Sequence, residues 1–166
     1  MGEDDRISEL LERRHTLITV SREATVQEAA RLLTKYRIGC LPVISEQGSL
    51  LGVVSERDLV ARCLATGLDS ERVRVEQIMT TDVATCPESM SVHDAERMMA
   101  HRKIRHLPVV RGGKVVGILS MRDVLADTLR SWKKLAHTQS AVLDKLETTH
   151  PGISQIRRDS TGRVVI

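Results

Sequence analysis

The sequence predicts a mixed α/β chain of the α+β kind. Two copies of a β-α-β-β-α unit, related by a pseudo-twofold axis, are expected to precede a long C-terminal helix. Three observations lead there. Residues 19–44 align with 85–110 without a gap, and after the loss of one residue 48–64 align with 113–129. The identities include Thr19/Thr85, Val26/Val92, Ala29/Ala95, Arg31/Arg97, Ile38/Ile104, Gly52/Gly117, Ser55/Ser120, Arg57/Arg122 and Asp58/Asp123, with Leu41-Pro42-Val43 matching Leu107-Pro108-Val109. A gap placed only where a turn belongs marks an internal duplication. Within each copy the apolar spacing passes from helical to short aliphatic runs. Finally, no Gly or Pro occurs from Arg122 until Pro151, which leaves room for one helix of about 25 residues.

The elements follow in order. Each copy opens on a short stretch, 17–20 and 83–86, then a polar turn. An amphipathic segment follows, with Val26, Ala29, Ala30, Leu32 and Leu33 in the first copy and Val92, Ala95, Met98 and Met99 in the second; this i, i+3, i+4, i+7 spacing is helical. Two aliphatic runs come next, 41–44 and 50–54, around Ser45-Glu46-Gln47-Gly48-Ser49. Their counterparts, 107–110 and 115–119, flank Arg111-Gly112-Gly113-Lys114. Connections of about four or five residues containing Gly predict hairpins. Each second run ends in Ser-x-x-Asp and enters another helix. The expected organisation is repeat one at 7–66, a linker at 67–82, repeat two at 83–129, a C-terminal helix at 130–149 and a terminal hairpin at 150–166.

Beyond the repeats, Leu125, Leu129, Trp132, Ala136, Gln139, Leu143 and Leu146 alternate steps of four and three. That is a heptad seam with one polar break, and it predicts a parallel dimeric coiled coil; the competing reading is a helix laying one stripe on its own domain. In the terminal hairpin, Ile153-Ser154-Gln155-Ile156 and Arg163-Val164-Val165-Ile166 are the expected strands, around Arg157-Arg158-Asp159-Ser160-Thr161-Gly162. Ending inside a strand, the sequence is expected to continue into a further domain of a longer signalling protein.

Composition removes several classes of function. The 166 residues include one Trp, one Tyr and no Phe, so the core is aliphatic. Only Tyr36 and Trp132 could stack a base, which argues against a single-strand nucleic-acid reader. A net charge of +3 from 25 basic and 22 acidic residues, with the signs interleaved, is no footprint for nucleic acid. Arg130, Lys133 and Lys134 make an ordinary helix face. No apolar run is long enough to span a bilayer, and no secretory signal is evident. Three cysteines without a C-x-x-C suit a reducing cytosol, so a cytoplasmic location is expected. Cys40, Cys63 and Cys86 stand among aliphatic residues and read as small core residues rather than nucleophiles. No Gly-rich phosphate loop is present, and Gly112-Gly113 is a hairpin turn. His93, His101 and His106 include no i, i+4 pair and read as surface histidines. No enzyme, metal or cofactor is expected.

Ser55-x-x-Asp58 and Ser120-x-x-Asp123 are the remaining chemistry. Each is close to a capping box, which satisfies amides at a helix start. A carboxylate at a helix N-terminus is also favoured by the macrodipole and could accept hydrogen bonds from the vicinal hydroxyls of a ribose. Arg57 and Arg122 stand where that dipole disfavours a cation, yet their planar fork suits a phosphate.

These residues, Gly-(Val/Ile)-(Val/Leu)-Ser-x-Arg-Asp after a Leu-Pro-Val strand and duplicated within 130 residues, resemble a pair of CBS domains, the Bateman module. The stretch Gly67-Leu68-Asp69 to Val75-Glu76-Gln77-Ile78-Met79-Thr80 resembles the usual linker. The likeness covers residues 7–129. It implies two clefts between the copies that take adenosine-containing ligands such as AMP, ADP, ATP, S-adenosylmethionine or NAD, in a module that senses rather than catalyses. Carried onto this sequence, the resemblance puts Asp123, Ser120 and Ile118 on the ribose of one cleft, Ile38 and Gly39 backbone on the base, and Thr19 beside them. Arg105 and His106, with Arg122, would meet the phosphate there. The other cleft would use Asp58, Ser55, Val53, Arg57 and Thr85, with Ile104 and Arg105 backbone on the base. Its counterpart to Arg105-His106 is the uncharged Gly39-Cys40, so the clefts are expected to be unequal. The last residues also bear a faint resemblance to the opening strands of a PAS-type sensor domain. The expected partners are an adenosine nucleotide, a second copy of the chain and an output domain; a dimerisation scaffold with vestigial clefts is the alternative.

Overall fold

A computed structural model describes residues 6–12, 16–149, 157–158 and 164–165; within the final helix the side chains of 134–135 and 138–149 lie outside that description. The chain divides into two units, Met1–Val124 and Leu125–Ile166.

In the first unit, helix α1 spans Ile7–Glu12 and helix α2 spans Val26–Tyr36. Thr25 caps α2 reciprocally with Glu28, satisfying two orphan amides at its start. Strands β1 (Cys40–Ile44) and β2 (Leu50–Ser55) form an antiparallel hairpin, bulged between Val43 and Ile44. Helix α3 (Glu56–Leu59) follows and runs on as a π-helical turn, Val60–Leu64. After the short helix α4 (Val75–Ile78) the pattern repeats. Strand β3 is Cys86–Pro87, α5 is Val92–Arg102, β4 is His106–Arg111 and β5 is Lys114–Ser120. Strand β3 runs parallel to β4, and β4 pairs antiparallel with β5, with a bulge at the matching place between Val109 and Val110. Helix α6 is Met121–Thr149.

The predicted opening stretch of the first copy, 17–20, does not become a strand; only Val20 pairs, in a parallel bridge to Val43. Its counterpart begins at Cys86 rather than at 83. Both are edge segments, held by one or two pairs.

Packing divides the first unit into two aliphatic cores, and each draws on a segment remote in sequence. One gathers Val26, Ala29, Leu33, Leu41, Val43 and Val54 with Val73, Val75 and Ile78 of the linker. The other gathers Val92, Ala95, Met99, Leu107, Val109 and Leu119 with Ile7 and Leu10 of α1. Thus α1, which precedes the first copy, completes the second, and α4, which precedes the second, completes the first. The bridges say the same: Arg6 pairs with Ser91 just before α5, and Arg74 pairs with Thr25 just before α2. The duplication therefore extends to a helical segment ahead of each copy. Cys40, Cys63 and Cys86 are all buried free thiols. Burial pushes Cys40 up to about 12 and Cys86 up to about 11.

In the second unit, β6 (Arg157–Arg158) pairs antiparallel with β7 (Val164–Val165). Arg157 and Arg158, expected in the turn, therefore stand in a strand; the expected strand residues 153–156 lie outside the described residues. Among the described residues, no helix is long and apolar enough to cross a membrane.

Candidate functional site

Hairpin ends, helix starts and the turns that follow α2 and α5 line one cleft of about 630 Å³ in the first unit. The local chemistry is repeated. Ser55 caps α3: its amide donates to Asp58 Oδ2 at 2.9 Å and its hydroxyl donates to the same oxygen at 2.6 Å. The Ser120 amide donates to Asp123 Oδ2 at 2.7 Å, and the Ser120 hydroxyl also donates to that oxygen. Both Ser-x-x-Asp motifs are thus built as caps. The other oxygen of Asp58, Oδ1, faces Arg62 Nη2 at 3.4 Å.

The turns leading into β1 and β4 match as well. The Ile38 amide donates to Leu33 O and the Ile104 amide to Met99 O. The Gly39 carbonyl accepts the Glu56 amide, and the Arg105 carbonyl accepts the Met121 amide. Each copy therefore ties its base-edge turn to its own capped helix start. Turn and carboxylate are held as one piece.

Of the residues expected in the first cleft, Ile38, Gly39, Arg105, His106, Ile118, Ser120 and Arg122 line the cavity; of the second set, Ile104, Val53, Ser55, Arg57 and Asp58 do. Both sets border the same continuous space. Thr19, Thr85 and Asp123 are not among the lining residues. The bridge at Val20 turns that position into the core, and the chain reaches the cleft earlier, at Thr16, Leu17 and Ile18. The two acids, equivalent by sequence, differ in placement: Asp58 is on the wall, whereas Asp123 is represented there by Ser120.

Sequence reasoning missed Arg37 and Lys103, which also line the cleft. They are the helix C-caps of α2 and α5, and the two non-glycine residues with positive φ among those described, at 53° and 54°. Their only signal was a basic residue at the same aligned position in both copies. Leu11, Glu56, Thr80 and Met121 were missed too.

Asymmetry enters at Gly39. An added Cβ there would sit 3.3 Å from the His106 imidazole and 3.7 Å from Glu56 Oε2, so the missing side chain gives room to the second copy's histidine. Burial first, and then the Arg105 and Arg122 guanidinium groups, hold His106 below the usual histidine range, with Glu56 opposing. The equivalent position in the first copy is Cys40, a buried thiol. The cleft is charged chiefly from arginine and lysine, and unequally.

The family model of the CBS domain matches residues 7–65 and again 75–128. The CBS domain-containing protein YhcV of Bacillus subtilis is 37% identical over 111 residues, which cover 67% of this chain and 78% of YhcV. Longer curated relatives are spanned far less, down to 20% of their length. Among solved structures, the CBS domain protein PAE2072 from Pyrobaculum aerophilum, complexed with AMP, is 34% identical with a TM-score of 0.66, over 72% of this chain and 89% of that one. The CBS domain pair of protein MJ0100, in complex with 5-methylthioadenosine and S-adenosyl-L-methionine, is 30% identical with a TM-score of 0.68, over 79% and 99%. With two matches in register on two halves that share one layout, the chain belongs to the CBS-domain family, as a tandem CBS pair.

Proposed function

We propose that this CBS pair is a regulatory module that binds an adenosine nucleotide in the cleft between its copies. The observation that carries the reading is the pair of Ser-capped carboxylates, Asp58 and Asp123, each tied through its helix start to a turn bordering one cavity. A carboxylate whose rotamer is set by its cap is prepared to receive ribose hydroxyls without further ordering. Relatives solved with AMP and with S-adenosyl-L-methionine support the adenosine class.

The module acts as a homodimer and passes its ligand state to an output domain through α6. Support for association comes from exposed apolar residues at equivalent positions of the two copies, Val60 and Leu64 in one, Leu125 and Leu129 in the other, with Trp132 further along α6. The heptad positions Gln139, Leu143 and Leu146 lie outside the described side chains. Buried free thiols suit a reducing cytoplasm.

Titration calorimetry with AMP, ATP and S-adenosylmethionine tests the ligand class. Hydrogen bonds to a charged group contribute about 1.5–3 kcal/mol, so Asp58→Asn should lower affinity about tenfold or more while the protein stays folded. Asp123→Asn, at a carboxylate set behind the Ser120 that lines the wall, should lower affinity by less. If neither substitution changes affinity, the ribose assignment is wrong. If no adenosine compound binds, the module is a scaffold.

A further inference from the structure

Resting on the adenosine reading, we infer that the cleft selects a polyphosphate tail, a nucleoside di- or triphosphate rather than a cationic or uncharged adenosine compound. Arg37 and Lys103 are the specificity-determining residues.

Five cations line the cavity: Arg37, Arg57, Lys103, Arg105 and Arg122. None of them has an ion pair with a described residue. The described arginines that do have an acidic partner lie off the cavity wall: Arg22 with Glu76, Arg72 with Asp69, Arg111 with Glu88, Arg130 with Asp127. The acids on the cavity wall are Glu56 and Asp58, and Asp58 already serves its own cap and Arg62. On a chain whose net charge is only +3, five cations against two acids on one wall give the cleft a local excess of positive charge. Such a cleft attracts anions in proportion to their charge. It opposes S-adenosylmethionine, whose sulfonium and ammonium groups outnumber its carboxylate.

Arg37 and Lys103 add a second, independent observation. Both hold the left-handed conformation, which disfavours any residue with a Cβ and which glycine or asparagine usually fills at a helix end. The cap itself needs only a backbone amide: Arg37 donates to Leu33 O and Thr34 O, and Lys103 to Ala100 O and Met99 O. A cation to complement the helix dipole is present without them, at Lys35 in α2 and at His101 and Arg102 in α5. Neither the cap nor the dipole accounts for a long cation at a strained position in both copies. Charge delivered to the cavity does.

The test uses glycine, which suits the same backbone. Arg37→Gly and Lys103→Gly, singly and together, remove charge while relieving a disfavoured conformation, so thermal stability should hold or rise. Calorimetry on the full chain, without divalent cations, compares ATP, ADP, AMP, adenosine, S-adenosylmethionine and inorganic tripolyphosphate. Affinity should climb with phosphate count, and that for ATP should fall more steeply with salt than that for adenosine. The double variant should lose about tenfold or more toward ATP, the loss expected when charge-assisted contacts are removed, with adenosine almost unchanged. Equal losses for ATP and adenosine, an unchanged ATP affinity, or tighter binding of S-adenosylmethionine than of ATP would overturn the inference. Tripolyphosphate binding that is lost in the double variant, without binding of any adenosine compound, would sink the adenosine reading and keep the anion site.

Discussion

Replacing Ile7 by Ala puts the exchange of helices between the two halves to the test. Ile7 is the first residue of α1 and is 0% exposed, although it lies near the chain's beginning. Its amide donates to Met90 O at 3.1 Å, and the next amide, of Ser8, donates to Glu88 O at 3.0 Å. A fully buried Ile cut to Ala costs about 2–5 kcal/mol. Helix α1 has only six residues, too short to persist undocked. The loss therefore cannot exceed the docking energy of α1, which rests on Ile7, Leu10 and part of Leu11, and the expected value lies at the lower end, about 2 kcal/mol. Urea unfolding gives the magnitude. Amide hydrogen exchange gives the location: protection should fall in α5, β4 and β5 while β1 and β2 keep theirs. The equivalent change Val75→Ala, also at 0% exposure, should do the reverse. A cost under about 0.5 kcal/mol, the range of surface substitutions, or lost protection in β1 and β2, would refute the assignment of α1 to the second core.

Two further outcomes are expected. A Cβ on Gly52 would lie 2.5 Å from the Thr80 carbonyl oxygen, in backbone that pairs with Val53 both ways at 2.9 Å. On Gly117 it would lie 2.5 Å from Leu11 Cδ2, the end of a side chain that can turn away. Gly52→Ala should therefore cost about 1–3 kcal/mol and Gly117→Ala clearly less; equal costs in denaturant titrations would contradict this. His106, held below the ordinary histidine range, is protonated first in the unfolded chain as pH falls. Its neutral form supports the fold above the ordinary value of 6.5, and that support is lost below it, down through the lower folded value. His106→Gln should flatten stability between about pH 7 and pH 5, and an unchanged profile would place the pH sensitivity elsewhere.

The duplication made both hairpins and both Ser-x-x-Asp helix starts legible, because their strands and caps fall in aligned blocks and are read twice, with the gap at the hairpin turn. The helices ahead of the copies were not legible. Arg6-Ile7 and Arg74-Val75 share a cation and an aliphatic residue, and helices of six and four residues are too short for periodicity to register. Which core each completes is a long-range fact that no local pattern encodes. The positive φ at Arg37 and Lys103 was hidden for the opposite reason: the residues aligned, but the usual markers of that conformation, Gly and Asn, are missing. Sequence symmetry also equated Asp58 with Asp123, whereas cleft geometry separates them.

A duplicated pair begins with two equal walls, and among the aligned positions that differ on this cleft two adjacent ones bear most on its charge. At one aligned position Gly39 stands opposite Arg105; at the next, Cys40 stands opposite His106. Gly39 removes a side chain where His106 approaches to 3.3 Å of the vacant Cβ position, so the loss in one copy accommodates the gain in the other. Cys40 is buried and offers the cavity no charge, whereas Arg105 and Arg122 bear on the His106 imidazole directly. The parts shared by the two halves, cap and turn, have the same hydrogen bonds, although only Asp58 of the two acids is on the cavity wall. On the proposed reading the divergent parts would form the phosphate end, where the second copy would supply Arg105, His106 and Arg122 against Arg57 of the first. Arg37 and Lys103 add one cation to each side, so they raise the charge of the whole cleft without removing the imbalance. If the proposed reading holds, a phosphorylated ligand should meet graded positions, and calorimetry should show the one with its phosphates against the second copy filling first; equal filling would contradict it.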